Sequence, residues 1–285
     1  MKYRILAVDL DGTLLNPHGQ VSDANREAVL AAQQAGLDIV PCTGRGWREA
    51  KGVLASLAGL GTGVFVTGAA VADIVTGQSL DFSVIEPHLA MELVQCLWDE
   101  PEAVLVYREA NLAGHDYLVT GRGQLTANTE WWFEATGAKA HFQRDLTVDD
   151  LHHTLRVGMV ASGRRLPIIA QRVRQRFGDR VLLHHFDWLQ RSDPSHSLHV
   201  LEIFAAGVDK WRGVQWVAQQ RGVPAEQIAA IGDEVNDLPM LAAAGCGIAM
   251  GNAIEAAKAQ ADHVTASNDR DGVAQAIYRL LDGQW

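Results

Sequence analysis

Residues 3–15 read Tyr-Arg-Ile-Leu-Ala-Val-Asp-Leu-Asp-Gly-Thr-Leu-Leu, and the fold follows from this stretch. Ile5, Leu6, Ala7 and Val8 run without polar alternation, the pattern of a strand covered on both faces, and such strands belong to parallel sheets. The strand ends at Asp9, and Asp11-Gly12-Thr13 breaks it. Two carboxylates thus stand at the carboxyl end of a buried strand, the edge where open α/β sheets bind their ligands.

Working outward, Ser22 predicts the cap of a helix running to about Ala35, with Gly36 as its stop and residues 37–41 as a second strand. A helix near 46–58 and a strand at 64–66 repeat that βαβ grammar. The far end of the chain returns to it, with strands at 228–231, 246–249 and 262–265. The last helix is amphipathic, because Val273, Ile277, Leu280 and Leu281 fall at i, i+4, i+7 and i+8. The fold class is therefore α/β, a doubly wound, Rossmann-like parallel sheet. Between these halves the pattern loosens into short strands at 103–107, 115–119, 155–161 and 198–204, mixed with helices. That region, 83–204, reads as an inserted α+β cap domain, dividing the core into 1–82 and 205–285 with two crossings that serve as a hinge.

Composition narrows the partners. The formal net charge of -10, 34 acidic against 24 basic residues, disfavours nucleic acid and anionic lipid, so neither is expected as a partner. Cys42, Cys96 and Cys246 lie far apart and form no CxxC pair, which fits a reducing cytoplasm and argues against a zinc ribbon or disulfide framework. No apolar run reaches the length of a membrane span, and the N-terminal apolar stretch is too short for a signal sequence. The chain is expected to act as a monomer or homodimer.

Three strand ends carry polar residues of one chemical kind. The first gives Asp9 and Asp11, the second Thr43-Gly44-Arg45, and the strand at 228–231 leads into Gly232-Asp233-Glu234-Val235-Asn236-Asp237. Carboxylates converging from adjacent strands repel one another unless a cation lies between them, and hard oxygen ligands select magnesium. With that charge screened, Asp9 can attack phosphorus and form an aspartyl-phosphate, while Asp11 serves as general acid and then general base. Gly12 permits the sharp turn, Thr43, the Gly44 amide and Arg45 offer donors to a phosphate, and a helix start near Gly46 adds to them. Lys210 supplies further positive charge.

The stretches DLDGTLL at 9–15, CTGR at 42–45, Lys210 and GDEVNDLPML at 232–241 together resemble the haloacid dehalogenase superfamily of phosphatases. AAAGCGIAMGNA at 242–253 is similar to its Cof-type branch, class IIB, whose cap is inserted between the second and third motifs. The resemblance implies Asp9 as nucleophile and Asp11 as acid and base. It implies Thr43 and Lys210 as phosphate ligands, and magnesium held by Asp9, the Asp11 carbonyl and Asp233, with Asn236 and Asp237 completing the surroundings. The substrate implied is a small phosphorylated metabolite, a sugar phosphate or a relative of one. Two positions depart from the branch: Thr67-Gly68-Ala69 stands where many members have Asn-Gly-Ala, and Trp211-Arg212 follows Lys210 where a Gly is common.

Other features take blander readings. Nine of the 11 His residues lie in the insertion, including the adjacent pairs His152-His153 and His184-His185, but neighbouring side chains point apart and no ligand role is assigned. The basic run Arg164, Arg165, Arg172, Arg174, Arg176 and Arg180 reads as the solvated face of a helix, and Trp131-Trp132-Phe133 as packing. Among functions, a sugar phosphomutase would use the same aspartyl-phosphate, and release of inorganic phosphate separates it from a hydrolase. A catalytically silent relative would be expected to lose one of Asp9, Asp11, Thr43, Lys210 or Asp233, and all are present.

Overall fold

The computed structural model describes residues 2–162, 164–189 and 198–285. It divides into two compact units, one made of the residues up to Asp81 together with Asp209–Trp285, the other of Phe82–Val208. The chain enters the first unit through β1 (Ile5–Asp9), α1 (Asp23–Gln34), β2 (Asp38–Cys42), α2 (Trp47–Leu54) and β3 (Thr62–Phe65), then β4 (Ala70–Asp73) and β5 (Ser79–Phe82). The second unit contains α3 (Pro87–Leu97), β6 (Val104–Arg108), α4 (Ala110–Ala113), β7 (Tyr117–Thr120), α5 (Ala127–Thr136) and β8 (Ala140–Phe142). It continues with β9 (Thr154–Ser162), α6 (Leu166–Phe177), β10 (Val181–Leu189) and β11 (Leu198–Ala205). The first unit then resumes with α7 (Lys210–Gln220), β12 (Ile228–Gly232), α8 (Leu238–Ala243), β13 (Cys246–Ala249), α9 (Glu255–Gln260), β14 (His263–Val264) and α10 (Gly272–Leu281).

The first unit is an eight-stranded sheet in the order β14-β13-β12-β1-β2-β3-β4-β5. β1 lies inside it, parallel to β12 on one side and β2 on the other, and every residue of β1 is buried. The apolar run that begins the chain is thus the strand with neighbours on both edges and both faces, the environment its composition requires. Only the β3–β4 end departs from a parallel sheet: β4 returns antiparallel, with Phe65 opposite Ala70. Its residues Ala70, Val71 and Ala72 are small, and β4 and β5 are four residues each, so the two strands added at this end left little periodic signal.

Local signals place the first helix well. The Ser22 hydroxyl accepts from the Asn25 amide at 3.1 Å, and Gly36 has φ +88°, so α1 is closed at both ends by the residues that predict it. Val273, Ile277 and Leu280 of α10 are buried and Leu281 half-buried.

The second unit is a six-stranded sheet, β10-β11-β9-β6-β7-β8, antiparallel except at β7–β8. Leu93, Val94 and Leu97 of α3 and Leu166, Ile169 and Val173 of α6 join Val104, Val106, Val157, Met159, Leu201 and Ile203 in its core. Residues of alternate parity on the same strands carry a buried ion pair, Arg156 with Glu202, and Arg156 Nη2 donates to the Tyr117 hydroxyl at 3.0 Å. Half of the arginine run is paired among the described residues: Arg165 and Arg172 engage Glu100, and Arg180 engages Glu92. Trp131 is exposed, whereas Phe133 packs on Tyr117 with ring centroids 4.7 Å apart. His196 lies outside the described residues.

One buried side chain joins the loop after β1 to the last helix. Asn25 is fully buried; its Nδ2 donates to the Leu14 carbonyl at 3.2 Å and its Oδ1 accepts from the Ala274 amide at 2.9 Å. Asn25→Ala leaves both backbone groups without a partner, and the expected cost is roughly 1–3 kcal/mol of unfolding free energy, measured by urea denaturation, with the m-value unchanged.

Candidate active site

Register brings the functional strand ends level. Asp9 pairs with Cys42 and Val8 with Ile231, so Thr43 and Asp233 leave the two neighbouring strands together, one residue beyond the level of Asp9. Within this edge Asp9 is buried, and Lys210 Nζ, fully buried at the first residue of α7, donates to Asp9 Oδ1 at 2.6 Å and to Asp237 Oδ1 at 2.6 Å. Asp237 turns its other oxygen to the backbone, accepting from the amides of Asp233 at 2.9 Å and Glu234 at 3.0 Å. Asp237 therefore orients Lys210 and fixes the loop after β12.

Asp233 is held by residues to which the sequence reading gave no role. The Thr13 hydroxyl donates to Asp233 Oδ1 at 2.7 Å, and Asn252 Nδ2 donates to the Gly12 carbonyl at 2.8 Å and reaches Asp233 Oδ2 at 3.4 Å. Asn252 is itself anchored, its Oδ1 accepting from the Asn268 amide at 2.9 Å. Thr13 and Asn252 both lie inside the quoted motifs, and only contacts spanning the chain assign them a function. Gly12 has φ +79°, and a Cβ there would lie 2.2 Å from Asp233 Oδ2, so no other residue fits the turn.

At the second strand end Arg45 is drawn to Asp11. Thr43 is buried and its hydroxyl accepts from the Arg45 amide at 3.1 Å. The Arg45 guanidinium grips Asp11, Nε to Oδ2 at 2.8 Å and Nη2 to Oδ1 at 2.5 Å, orienting that half-exposed carboxylate from two sides. The Gly46 amide, at the start of α2, is already committed to Glu49 Oε2 at 2.6 Å. Gly44 is half-buried between these groups, and Asn236 is buried with an Oδ1 that has no hydrogen-bond partner among the described residues.

Charge in the cluster is unbalanced. Burial raises the Asp9 carboxyl well above its ordinary value; Lys210 works against the shift while Asp237, Asp233 and Asp11 add to it. Burial and then the neighbouring Asp237 push Asp233 up to about 7. Burial by itself would lower the Lys210 ammonium, but Asp237 and Asp9 outweigh it and hold the charge firmly in place. One buried ammonium thus faces three carboxylates, Asp9, Asp233 and Asp237, whose oxygens lie within 4.8 Å of one another. That all-oxygen donor set fits a hard divalent cation. Asp237 is bound most fully, to the Lys210 ammonium and two backbone amides, which leaves Asp9 and Asp233 as the side chains best placed to hold an ion; the Asp11 carboxylate faces Arg45 instead. Among the described residues no other group of three His, Cys, Asp or Glu side chains forms such a cluster.

The family model for haloacid dehalogenase-like hydrolases matches residues 6–277. The chain belongs to that family. This hydrolase is 30% identical to a 5-amino-6-(5-phospho-D-ribitylamino)uracil phosphatase of Bacillus subtilis, over 99% of each chain. It is 28% identical to a pyridoxal phosphate phosphatase of Escherichia coli, over 99% of this chain and 100% of the relative. A crystal structure of a haloacid dehalogenase-like hydrolase from Bacteroides thetaiotaomicron superposes with a TM-score of 0.78 at 26% identity, covering 98% of this chain and 100% of that one. Within its family the hydrolase is a Cof-type phosphatase. No helix among the described residues is long and apolar enough to cross a membrane.

The raised Asp233 carboxyl gives a pH signature of known sign. In the metal-free protein its folded value of about 7 exceeds the ordinary 3.8, so the folded state binds more protons across that window and stability falls as pH rises through it. An ion needs the carboxylate forms, so affinity for a divalent cation should rise with pH as Asp233 loses its proton near 7. Thermal unfolding with and without magnesium from pH 5.5 to 8 should show magnesium stabilising most at the alkaline end. Asp233→Asn should flatten both trends.

Proposed function

We propose that the enzyme hydrolyses a small phosphomonoester, a sugar phosphate or related metabolite, through an aspartyl-phosphate on Asp9, with magnesium as cofactor. The observation that carries this reading is the Asp9 carboxylate itself, fixed by Lys210 at 2.6 Å at the end of the central strand, beside a second carboxylate, Asp233, that can share a cation. Magnesium held by Asp9 and Asp233, with the Asp11 carbonyl as a further oxygen, would supply the positive charge that lets an anionic nucleophile approach an anionic phosphate.

In the first half-reaction an Asp9 oxygen bonds to phosphorus and the ester P–O bond breaks, while Asp11 gives its proton to the departing alkoxide. In the second, the ionised Asp11 takes a proton from water, whose oxygen bonds to phosphorus; the Asp9–phosphorus bond breaks and inorganic phosphate leaves. Arg45 pairs with the ionised Asp11 carboxylate, the form that acts as base in the second step, and Lys210, Thr43, the Gly44 amide and Asn236 serve the equatorial phosphate oxygens. The second unit, Phe82–Val208, is assigned the role of the cap that selects the substrate. A reducing, cytoplasmic setting is supported by three unpaired cysteines.

A screen of phosphorylated metabolites with magnesium, scored by inorganic phosphate, tests the reading; the uracil ribityl phosphate and pyridoxal phosphate named for the relatives belong in it. Asp9→Asn should lose activity by on the order of 10⁴-fold while remaining folded. Asp11→Asn should lose roughly 10²–10⁴-fold on alkyl phosphates and much less on p-nitrophenyl phosphate, whose leaving group needs no proton. Equal losses on both substrates would remove Asp11 from the role of acid, and an isomerised sugar phosphate without phosphate release would make the enzyme a mutase.

A further inference from the structure

Lys210 opens α7, so the placement of its ammonium depends on the first turn of that helix as well as on Asp9 and Asp237. Three contacts converge there. The Asp209 side chain caps the helix, its Oδ1 accepting from the Arg212 amide at 2.8 Å. Gly68, with φ +91°, lies so close to the Asp209 carbonyl that a Cβ would come within 1.8 Å of that oxygen. Arg212 then bridges outward: Nη1 donates to the Gly68 carbonyl at 3.2 Å and Nη2 pairs with Asp81 of β5.

The turn gripped in this way is itself strained. Val66 and Thr67, both β-branched, have φ +50° and +55°, a region such side chains rarely occupy. What this conformation achieves is visible in its hydrogen bonds. The Val66 amide donates to the Arg45 carbonyl at 2.9 Å and the Thr67 amide to the Thr43 carbonyl at 3.0 Å, so the turn is stitched to the 43–45 loop. One short segment therefore touches both the loop that carries Thr43 and Arg45 and the helix start that carries Lys210. Thr67 is fully buried with a hydroxyl that has no partner among the described residues, so its backbone, not its side chain, makes these ties.

We propose that Arg212 is a positioning residue for phosphoryl transfer: by clamping the start of α7 to the Gly68 carbonyl and to Asp81, it holds Lys210 and the 43–45 loop in one fixed spacing. The inference rests on the assignment of Asp9 and Lys210 to the reaction. A planar guanidinium suits the task because it serves two acceptors at once in fixed directions, which a lysine ammonium does not.

Steady-state kinetics on p-nitrophenyl phosphate with magnesium, for Arg212→Ala, Arg212→Lys and Asp81→Asn beside Asp9→Asn, test the proposal. A shift of the ammonium by a fraction of an ångström to about 1 Å is expected to lower kcat roughly tenfold to a hundredfold in Arg212→Ala. KM should change little, the thermal midpoint should stay within a few degrees of wild type, and added guanidinium should restore part of kcat. Arg212→Lys should recover less than half of the loss, and Asp81→Asn should lower kcat in the same direction by a smaller factor. If Arg212→Ala does not fold, Asp81→Asn alone decides. Unchanged kcat in the decisive variant, or a loss only in proportion to lost folded protein, overturns the clamp while Asp9→Asn remains inactive. Activity surviving in Asp9→Asn instead overturns the assignment on which the clamp rests.

Discussion

The ammonium of Lys210, fully buried between Asp9 and Asp237, is the constraint on which the rest of the site depends. A buried charge persists only where its partners are fixed, and removing one partner leaves the other uncompensated at a cost of roughly 3–5 kcal/mol. The pair on the two carboxylates therefore ties the end of β1, the start of α7 and the loop after β12 into a single geometry. Each of those segments lies in a different part of the chain. The excess of carboxylates over ammonium in the same cluster is what makes the site receptive to a cation and, through it, to phosphate.

The fold makes that convergence possible by register. Because Asp9 is level with Cys42 and Val8 with Ile231, the acidic and hydroxyl side chains emerge side by side along one edge. Gly12 completes it: with no side chain of its own, it lets Asp233 approach the turn after β1. The active-site edge is thus built from backbone spacing first and side-chain chemistry second.

Much of this was legible in the sequence because the signals are local. The buried run at 5–8, the Ser22 cap and Gly36 stop of α1, and the acidic strand ends each announce themselves within a few residues. What escaped were relations across the chain. Thr13 and Asn252 steady Asp233 from 220 and 19 residues away, and Asn25 bridges 249 residues to α10. Arg45 reads as a phosphate donor in its motif, yet in the fold it orients Asp11, and the amide at the start of α2 is taken by Glu49. The β4 and β5 strands were silent because strands of four residues are too short to carry a readable period. Arg212 was visible only beside a departure from a pattern; its bond to the Gly68 carbonyl spans 144 residues.

The most direct test of the account is chemical capture of the phosphorylated enzyme. Turnover of a good substrate with magnesium, quenched in acid and reduced with borohydride, converts a carboxylate that carried phosphate into its alcohol, and peptide mass spectrometry locates it. The account predicts that change at Asp9, lost when magnesium is stripped and absent from Asp9→Asn. The same change at any other carboxylate, or magnesium-dependent phosphate release with Asp9 never modified, would contradict it.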